Sequence, residues 1–324
     1  MSEFYCRVSL MAEGVLRVKF SGSLIGTAVG DAVGAGFEGR RVLEPDVIGD
    51  LVARRELLAY TDDTHMMIGV AESLVQKEGF DGEHMARVFI RNYECEPWRG
   101  YGPGPPSVFR MIRAGEAWDK AAEKLYHGGS YGNGSAMRIA PVAVFYHDDL
   151  AMLKEVACRS SRITHSHELG KEGAALQAYA VALAVNLEPA KPFDARGFLA
   201  ELYEFVQQEV YKRKLAKAGA LLGEADKATV AADIGNGIEA FNSVPTAIYS
   251  FLSHHHSFEE AILFAVSLGG DTDTIAAMTG AIAGAYLDVD AVPDKWRSKL
   301  ENRAYIEELA DVLYDVSVRK QRVK

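Results

Sequence analysis

Residues 21–41 read SGSLIGTAVGDAVGAGFEGRR, and two readings of this stretch lead to different folds. Gly34-Ala35-Gly36-Phe37-Glu38-Gly39 is a literal G-x-G-x-x-G, the turn of a dinucleotide-binding α/β unit. Such a turn needs a hydrophobic strand before it and a helix after it. Here the preceding glycines, Gly22, Gly26, Gly30 and Gly34, recur every four residues and share one helical face, and polar Arg40-Arg41 follow. A helix with one face of small residues lets a second backbone approach closely. The stretch therefore predicts helix-on-helix packing and argues against a dinucleotide fold.

The rest of the chain agrees. Helical periodicity runs over 22–36, 62–77, 83–93, 106–115, 150–160, 169–187, 195–223, 237–253, 258–267, 273–286 and 303–319. Strong helix formers are frequent and alternating β-branched runs are nearly absent. Residues 15–20 and 138–145 are the strand candidates, and each also suits helix or irregular structure. No repeat or low-complexity linker divides the chain, and the polar segment 188–235 reads as a surface pair of helices. The expected architecture is all-α: a lead-in over 1–20, then a single compact orthogonal multi-helix domain over 21–324.

The composition, 48% hydrophobic and 25% charged over 324 residues, is that of a soluble globular protein. A formal net charge of -10 argues against general affinity for nucleic acid or anionic membrane. Cys6, Cys95 and Cys158 are odd in number and far apart, which fits a reducing compartment. The start, MSEFYCRVSLMAEG, lacks the apolar core of a signal peptide, and the apolar run 174–187 is too short to span a bilayer. A cytoplasmic monomer is expected.

Two acidic clusters carry the chemistry. They are Thr61-Asp62-Asp63-Thr64 and Gly270-Asp271-Thr272-Asp273-Thr274. No Lys or Arg occurs from 56 to 76, and Asp271 and Asp273 are the only charged residues from 261 to 287. A carboxylate withdrawn from water without a partner costs several kcal/mol or neutralises itself. Capping of the helices that follow explains one carboxylate each, but not two. Facing one another, the helix starts gather four carboxylates and several hydroxyls. Oxygen donors of this kind suit a hard ion such as magnesium or calcium.

Glycine-rich turns at 100–104, 128–134 and 235–238 precede helices and expose N–H groups, which favours an anion such as a pyrophosphate. Tyr101, Tyr126 and Tyr131 are candidates for stacking on a base. Residues 128–132 match G-x-S-x-G, but a nucleophile elbow needs a preceding strand, and 116–125 reads as helix. His165-Ser166-His167-Glu168 lacks further ligands at zinc spacing and suits capping or substrate contact. His254-His255-His256 reads as a solvated loop.

Taken in order, Gly30-Asp31, Gly36-Phe37-Glu38, the Thr61–Thr64 cluster and Gly269–Thr274 resemble the ADP-ribosylglycohydrolase family. GYGPGPPSVFR (100–110), GGSYGNGSAMR (128–138), RITHSHELG (162–170) and GNGIEAFNSVPTAIYSFL (235–252) resemble its branch cleaving serine-linked and poly-ADP-ribose. The resemblance extends from about Ser21 to Trp296.

It implies an all-α fold with a dinuclear magnesium site. The matching positions make Thr61, Asp62, Asp63, Asp271, Asp273 and Thr274 metal ligands, with Glu38 a mobile catalytic glutamate able to approach a metal ion. Glu38, Asp62 and Asp273 are the implied catalytic residues, Glu38 for proton transfer and the aspartates for placing water. Gly102, Gly128, Gly129, Ser130, Tyr131, Gly132, Asn133, Gly134, His165, Asn236 and Ile238 match positions lining an ADP-ribose pocket. Pro105-Pro106 departs from the pattern, since a more flexible loop is expected after Gly104. The implied reaction is magnesium-dependent hydrolysis of the O-glycosidic bond at the ribose anomeric carbon of ADP-ribosylated serine, poly-ADP-ribose or O-acetyl-ADP-ribose. The implied partners are ADP-ribosylated proteins or ADP-ribose-containing small molecules. The alternatives are hydrolysis of N-glycosidic arginine linkages, and a non-catalytic relative that binds ADP-ribose.

Overall fold

The computed structural model describes residues 2–223 and 226–323, so residues 224–225 of the polar segment and the side chain of Cys6 lie outside the described residues. Among the described residues the helices are α1 Ser2–Gly34, α2 Pro45–Ala53, α3 Asp62–Lys77, α4 Gly82–Cys95, α5 Gly104–Arg113, α6 Ala121–Leu125, α7 Ala140–Phe145, α8 Leu150–Ser161 and α9 Glu168–Asn186. They continue as α10 Ala195–Phe205, α11 Glu209–Leu221, α12 Lys227–Asp233, α13 Ala240–Ser253, α14 Phe258–Ser267, α15 Thr272–Leu287, α16 Asp294–Arg297 and α17 Arg303–Val323. A short 3-10 turn, Ala35–Phe37, extends α1 toward Glu38.

The glycine face of α1 packs on α15 in backbone contact. Gly22 faces the carbonyl of Gly284, Gly26 that of Gly280, Gly30 that of Ala276 and Gly34 that of Thr272. Four residues forward on α1 are thus four residues back on α15, an antiparallel register. At each glycine a Cβ would overlap that carbonyl oxygen. Ser23 Oγ donates to Ala281 O and Thr272 Oγ1 to Gly34 O, both at 3.0 Å. Leu24, Ile25, Ala28, Val29, Ala32 and Val33 are buried round the rest of α1, and α15 is buried from Thr272 to Tyr286. A helix apolar all round belongs in the centre of a domain. This pair is that centre, with α3, α9, α13, α14 and α17 packed about it. The register decides the site, because it sets the end of α1, hence Glu38, beside the start of α15.

Several sequence expectations change. The strand candidates are helical: 15–20 lies inside α1, and 138–145 is a turn followed by α7. A short buried apolar run has no periodicity that separates strand from helix, and here neighbouring helices bury it. The only ladder contacts among the described residues are single bridges, Leu58 with Leu300 and Gly132 with Glu239. The predicted helix over 195–223 breaks at 206–208, where Glu172 of α9 accepts from Gln207 N at 2.5 Å and Gln208 N at 2.9 Å. Residue 21, chosen as a domain start, falls inside α1, whose Phe20 is already buried. Pro105-Pro106 is no loop: the two prolines occupy the first turn of α5, where a missing N–H costs nothing. No helix among the described residues is long and apolar enough to cross a membrane.

Candidate active site

The first acidic cluster opens α3, and α1 holds it. Asp31 is fully buried and accepts hydrogen bonds from Thr61 N at 3.0 Å, Thr61 Oγ1 at 2.9 Å, Thr64 N at 3.0 Å and Thr64 Oγ1 at 2.6 Å. One carboxylate therefore fixes the whole turn from Thr61 to Thr64, and Asp62 and Asp63 project from it. Burial pushes Asp31 up to about 7, against the pull of its Thr64 and Thr61 donors. Burial, with Asp31 and Asp273 nearby, pushes Asp62 up to about 8, and the same causes raise Asp63 well above the carboxylate range.

The second cluster opens α15 after Gly269 and Gly270, whose φ values of 69° and 74° suit glycine. A Cβ on Gly270 would overlap the Asn236 carbonyl, which accepts from Asp271 N at 2.9 Å. Asn133 donates from Nδ2 to Asp271 Oδ2 at 2.5 Å and to Ser243 Oγ at 3.1 Å. The Glu38 segment pairs along the same turn: Gly39 N donates to Gly270 O at 2.8 Å, and Gly270 N to Arg40 O at 3.1 Å. As a result, one carboxylate oxygen each of Glu38, Asp271 and Asp273 lie within 4.8 Å of one another. Burial first, then Asp271, pushes Asp273 up to about 7, and Asp273 in turn raises the exposed Glu38.

These residues fit a divalent cation on their own evidence. Asp63 Oδ1 is buried with no hydrogen-bond partner among the described residues. What raises the aspartates is withdrawal from water and one another, two effects that a bound cation opposes directly. The donors are carboxylate and hydroxyl oxygens, the set that hard ions take.

Both clusters face a cavity of about 350 Å³. Glu38, Thr61, Asp62, Asp63, Asp271, Asp273 and Thr274 line it, as do Gly102, Ser130, Gly132, Asn133, Gly134, His165 and Ile238. Four residues expected there do not line it. Gly128 and Gly129 pack toward His167 and Ser166. Tyr131 is exposed, its ring against His167 and Phe241. Asn236 instead supports the second cluster, its Nδ2 donating to Leu268 O at 2.9 Å. Of the three tyrosines considered for stacking, Tyr126 lines the cavity. Tyr101 packs among Tyr93, Phe109 and His65, its hydroxyl 2.9 Å from His65 Nδ1.

Glycine geometry brings His165 to the wall. The ring lies against Gly132 and Gly134, where a Cβ would come within 3.3 Å and 3.0 Å of Nε2. His167 caps α9, accepting from Leu169 N at 3.0 Å. No strand precedes Ser130, whose hydroxyl accepts from Gly132 N at 3.2 Å, so the G-x-S-x-G match is a turn. The histidine triplet is only partly solvated. His254 packs on Phe264 and His255 stacks on Phe193, while His256 is exposed beside Glu260.

Asp31 is the residue that the sequence reading passed over as a site component. A signal existed, since Asp31 is the only charged residue between 20 and 37. Met66, Met137 and Thr164 also line the cavity and had no chemical signature to mark them, while Gly100 lines it as part of the glycine-rich turn at 100–104.

The sequence profile described as ADP-ribosylglycohydrolase matches residues 13–322. The chain is 38% identical to ADP-ribosylhydrolase ARH3 of Bos taurus, covering 92% of this chain and 93% of that protein. It is 27% identical to ADP-ribosylarginine hydrolase Tri1 of Pseudomonas putida, over 91% of this chain and 77% of that one. A solved structure titled as an ADP-ribosylglycohydrolase-related protein complex superposes with a TM-score of 0.74 at 28% identity, covering 93% of this chain and 99% of that chain.

Proposed function

The chain belongs to the ADP-ribosylglycohydrolase family, and from that premise we propose that it hydrolyses O-glycosidic ADP-ribosyl linkages to serine, between polymer units or to acetate, with two magnesium ions. One observation carries the reading. Glu38 and both acidic clusters converge on a cavity whose other walls are glycine turns. The greater likeness to ARH3 than to the arginine hydrolase Tri1 favours oxygen over nitrogen as the bond's acceptor side.

The ligand's pyrophosphate is anionic and the protein is not basic. Main-chain N–H groups of the turn at 100–104, with that of Gly134, supply the attraction that side-chain cations do not, while Gly132 N and Asn133 N already donate to Ser130 Oγ and Ile238 O. That leaves the acidic end of the cavity for the ribose. Hydrolysis at the anomeric carbon passes through oxocarbenium-like charge, which adjacent carboxylates stabilise. Glu38 is the one carboxyl of the site exposed at its rim, and Asp273 raises its proton affinity. It is therefore suited to give a proton to the departing oxygen and to take one from the entering water. Asp62 and Asp273 orient that water. Thr61, Asp62, Asp63, Asp271, Asp273 and Thr274, together with Glu38, would hold the magnesium, which when bound would supply Lewis-acid polarisation and offset the clustered charge.

The test is release of ADP-ribose from defined serine-linked, arginine-linked, polymeric and O-acetyl substrates assayed side by side. The expected result is a serine-over-arginine preference of at least about a hundredfold in kcat/KM, since a site built for one leaving atom leaves groups unpaired with the other. Release from the arginine linkage alone overturns the reading. So does ADP-ribose binding without turnover on any of the four.

A further inference from the structure

One buried charge has no part in these steps. Arg138, in the turn before α7, is fully buried, and among the described residues no carboxylate pairs with it. Its guanidinium donates to Thr164 Oγ1 at 2.9 Å and to Ser160 O at 3.1 Å, and lies 4.7 Å above the Phe89 ring. Its Nε has no hydrogen-bond partner among the described residues. A guanidinium withdrawn from water without a counter-ion is a poor stabiliser, and an apolar residue of similar volume often does as well or better. The residue therefore needs a reason other than packing.

That reason lies in what Thr164 touches next. Its Oγ1 accepts from Arg138, which leaves the hydroxyl hydrogen to bond His165 Nδ1, 2.8 Å away. The positive guanidinium behind the hydroxyl favours the same polarity, with the bare, electron-rich ring nitrogen toward it and the ring N–H away from it. The opposite ring edge, carrying Nε2, lies over the glycine turn at 132–134, within the cavity wall. There Nε2 has no hydrogen-bond partner among the described residues, while Nδ1 is held by Thr164.

We propose that Arg138 and Thr164 are positioning residues that fix His165 as the Nε2–H tautomer, so that it offers a neutral hydrogen-bond donor to an oxygen of the bound ADP-ribose moiety. This rests on reading the cavity as an ADP-ribose site. Burial, together with Arg138, holds the His165 pKa down to about 3, in keeping with a neutral ring. His165 is thereby a recognition group, and proton transfer stays with Glu38. The glycines at 132 and 134 fit the same purpose, because a side chain at either would crowd the donor edge.

The test reads the tautomer directly, by long-range proton–nitrogen NMR of protein labelled with nitrogen-15 histidine, with His165→Gln to assign the ring signals. The expected spectrum of the free protein shows His165 with a protonated Nε2 and a bare Nδ1. Thr164→Val is expected to mix the tautomers and to weaken ADP-ribose binding about tenfold, the worth of one well-placed hydrogen bond. Thr164→Ser keeps the hydroxyl and is expected to restore both. Arg138→Met is expected to match Thr164→Val in affinity while its melting temperature holds or rises, which separates positioning from folding. A protonated Nδ1 in the parent protein overturns the proposal, as does a Thr164→Val variant with unmixed tautomer and parental affinity. If the parent protein binds no ADP-ribose while showing the Nε2–H tautomer, the functional reading fails and the hydrogen-bond relay stands.

Discussion

Thr61–Thr64 and Gly270–Thr274 present the same residue types at two helix starts, yet Asp31 holds the first and Asn133 the second. The first anchor is itself a buried carboxylate, so the turn is fixed at the expense of one more negative charge. The second relies on a neutral amide, two left-handed glycines and main-chain pairing with the Glu38 segment. One cluster is shaped by charge and the other by backbone. It follows that the first depends more on a cation for its stability, and the second more on the α1–α15 register for its position.

The largest effects should come from the residues where the two clusters meet. Glu38→Gln and Asp273→Ala are expected to lower kcat by about a thousandfold or more while circular dichroism and melting temperature stay near the parent values, since each removes a group acting on the reacting atoms. Near-normal turnover in either would separate the acidic cluster from the chemistry.

Next comes the register itself. Gly30→Ala would push a methyl into the Ala276 carbonyl, and the expected loss is about 3 kcal/mol or more by denaturant unfolding, because a backbone obstacle cannot turn aside as a side chain can. A cost below about 1 kcal/mol would mean that the two helices can part without consequence.

The two anchors can then be compared directly. Asp31→Asn cannot accept the four hydrogen bonds that Thr61 and Thr64 send to Asp31, so about 2–3 kcal/mol of stability should go with it and magnesium affinity should fall. Asn133→Ala removes one neutral donor from Asp271, and about 1 kcal/mol is expected. Equal losses in the two variants would abolish the distinction drawn here.

The smallest effect is one of pH. Asp31 and Asp273 are raised to about 7 and Asp62 to about 8 in the folded chain, against an unfolded value near 4. Raised folded values mean that the stabilising contribution is complete below about pH 4 and is lost as pH climbs through about 7 to 8. In chelator, the melting temperature should therefore fall by about 5 °C between about pH 6 and pH 8.5. Magnesium should recover most of that fall, and its binding should release protons. A flat profile in chelator would show that the clusters carry no such penalty.

How much of this was legible in the chain depended on how local each feature is. The four-residue glycine spacing gave a close-packed helix, because periodicity lies along the sequence. Its partner, α15, lies some 240 residues on, and nothing in a periodic pattern names a partner. The acidic clusters announced themselves through the absence of nearby cations. Asp31 did not, because its meaning comes from hydroxyls 30 and 33 residues away in sequence. Gly128 and Gly129 were grouped with the cavity as part of one glycine-rich turn, but of that turn Ser130, Gly132, Asn133 and Gly134 face the cavity. Pro105-Pro106 looked like a stiff loop only until α5 was seen to begin at Gly104. Residues 138–145 looked like a strand only because buried apolar runs look alike in either conformation.

The central claim is that both clusters and Glu38 act as one cation-dependent hydrolytic centre. Its most direct measurement is turnover of a serine-linked ADP-ribosyl peptide by protein stripped with chelator, then titrated with magnesium. The account predicts no measurable release in chelator, full recovery on adding magnesium, and no recovery in Asp273→Ala at any magnesium concentration. Undiminished turnover in chelator would contradict it.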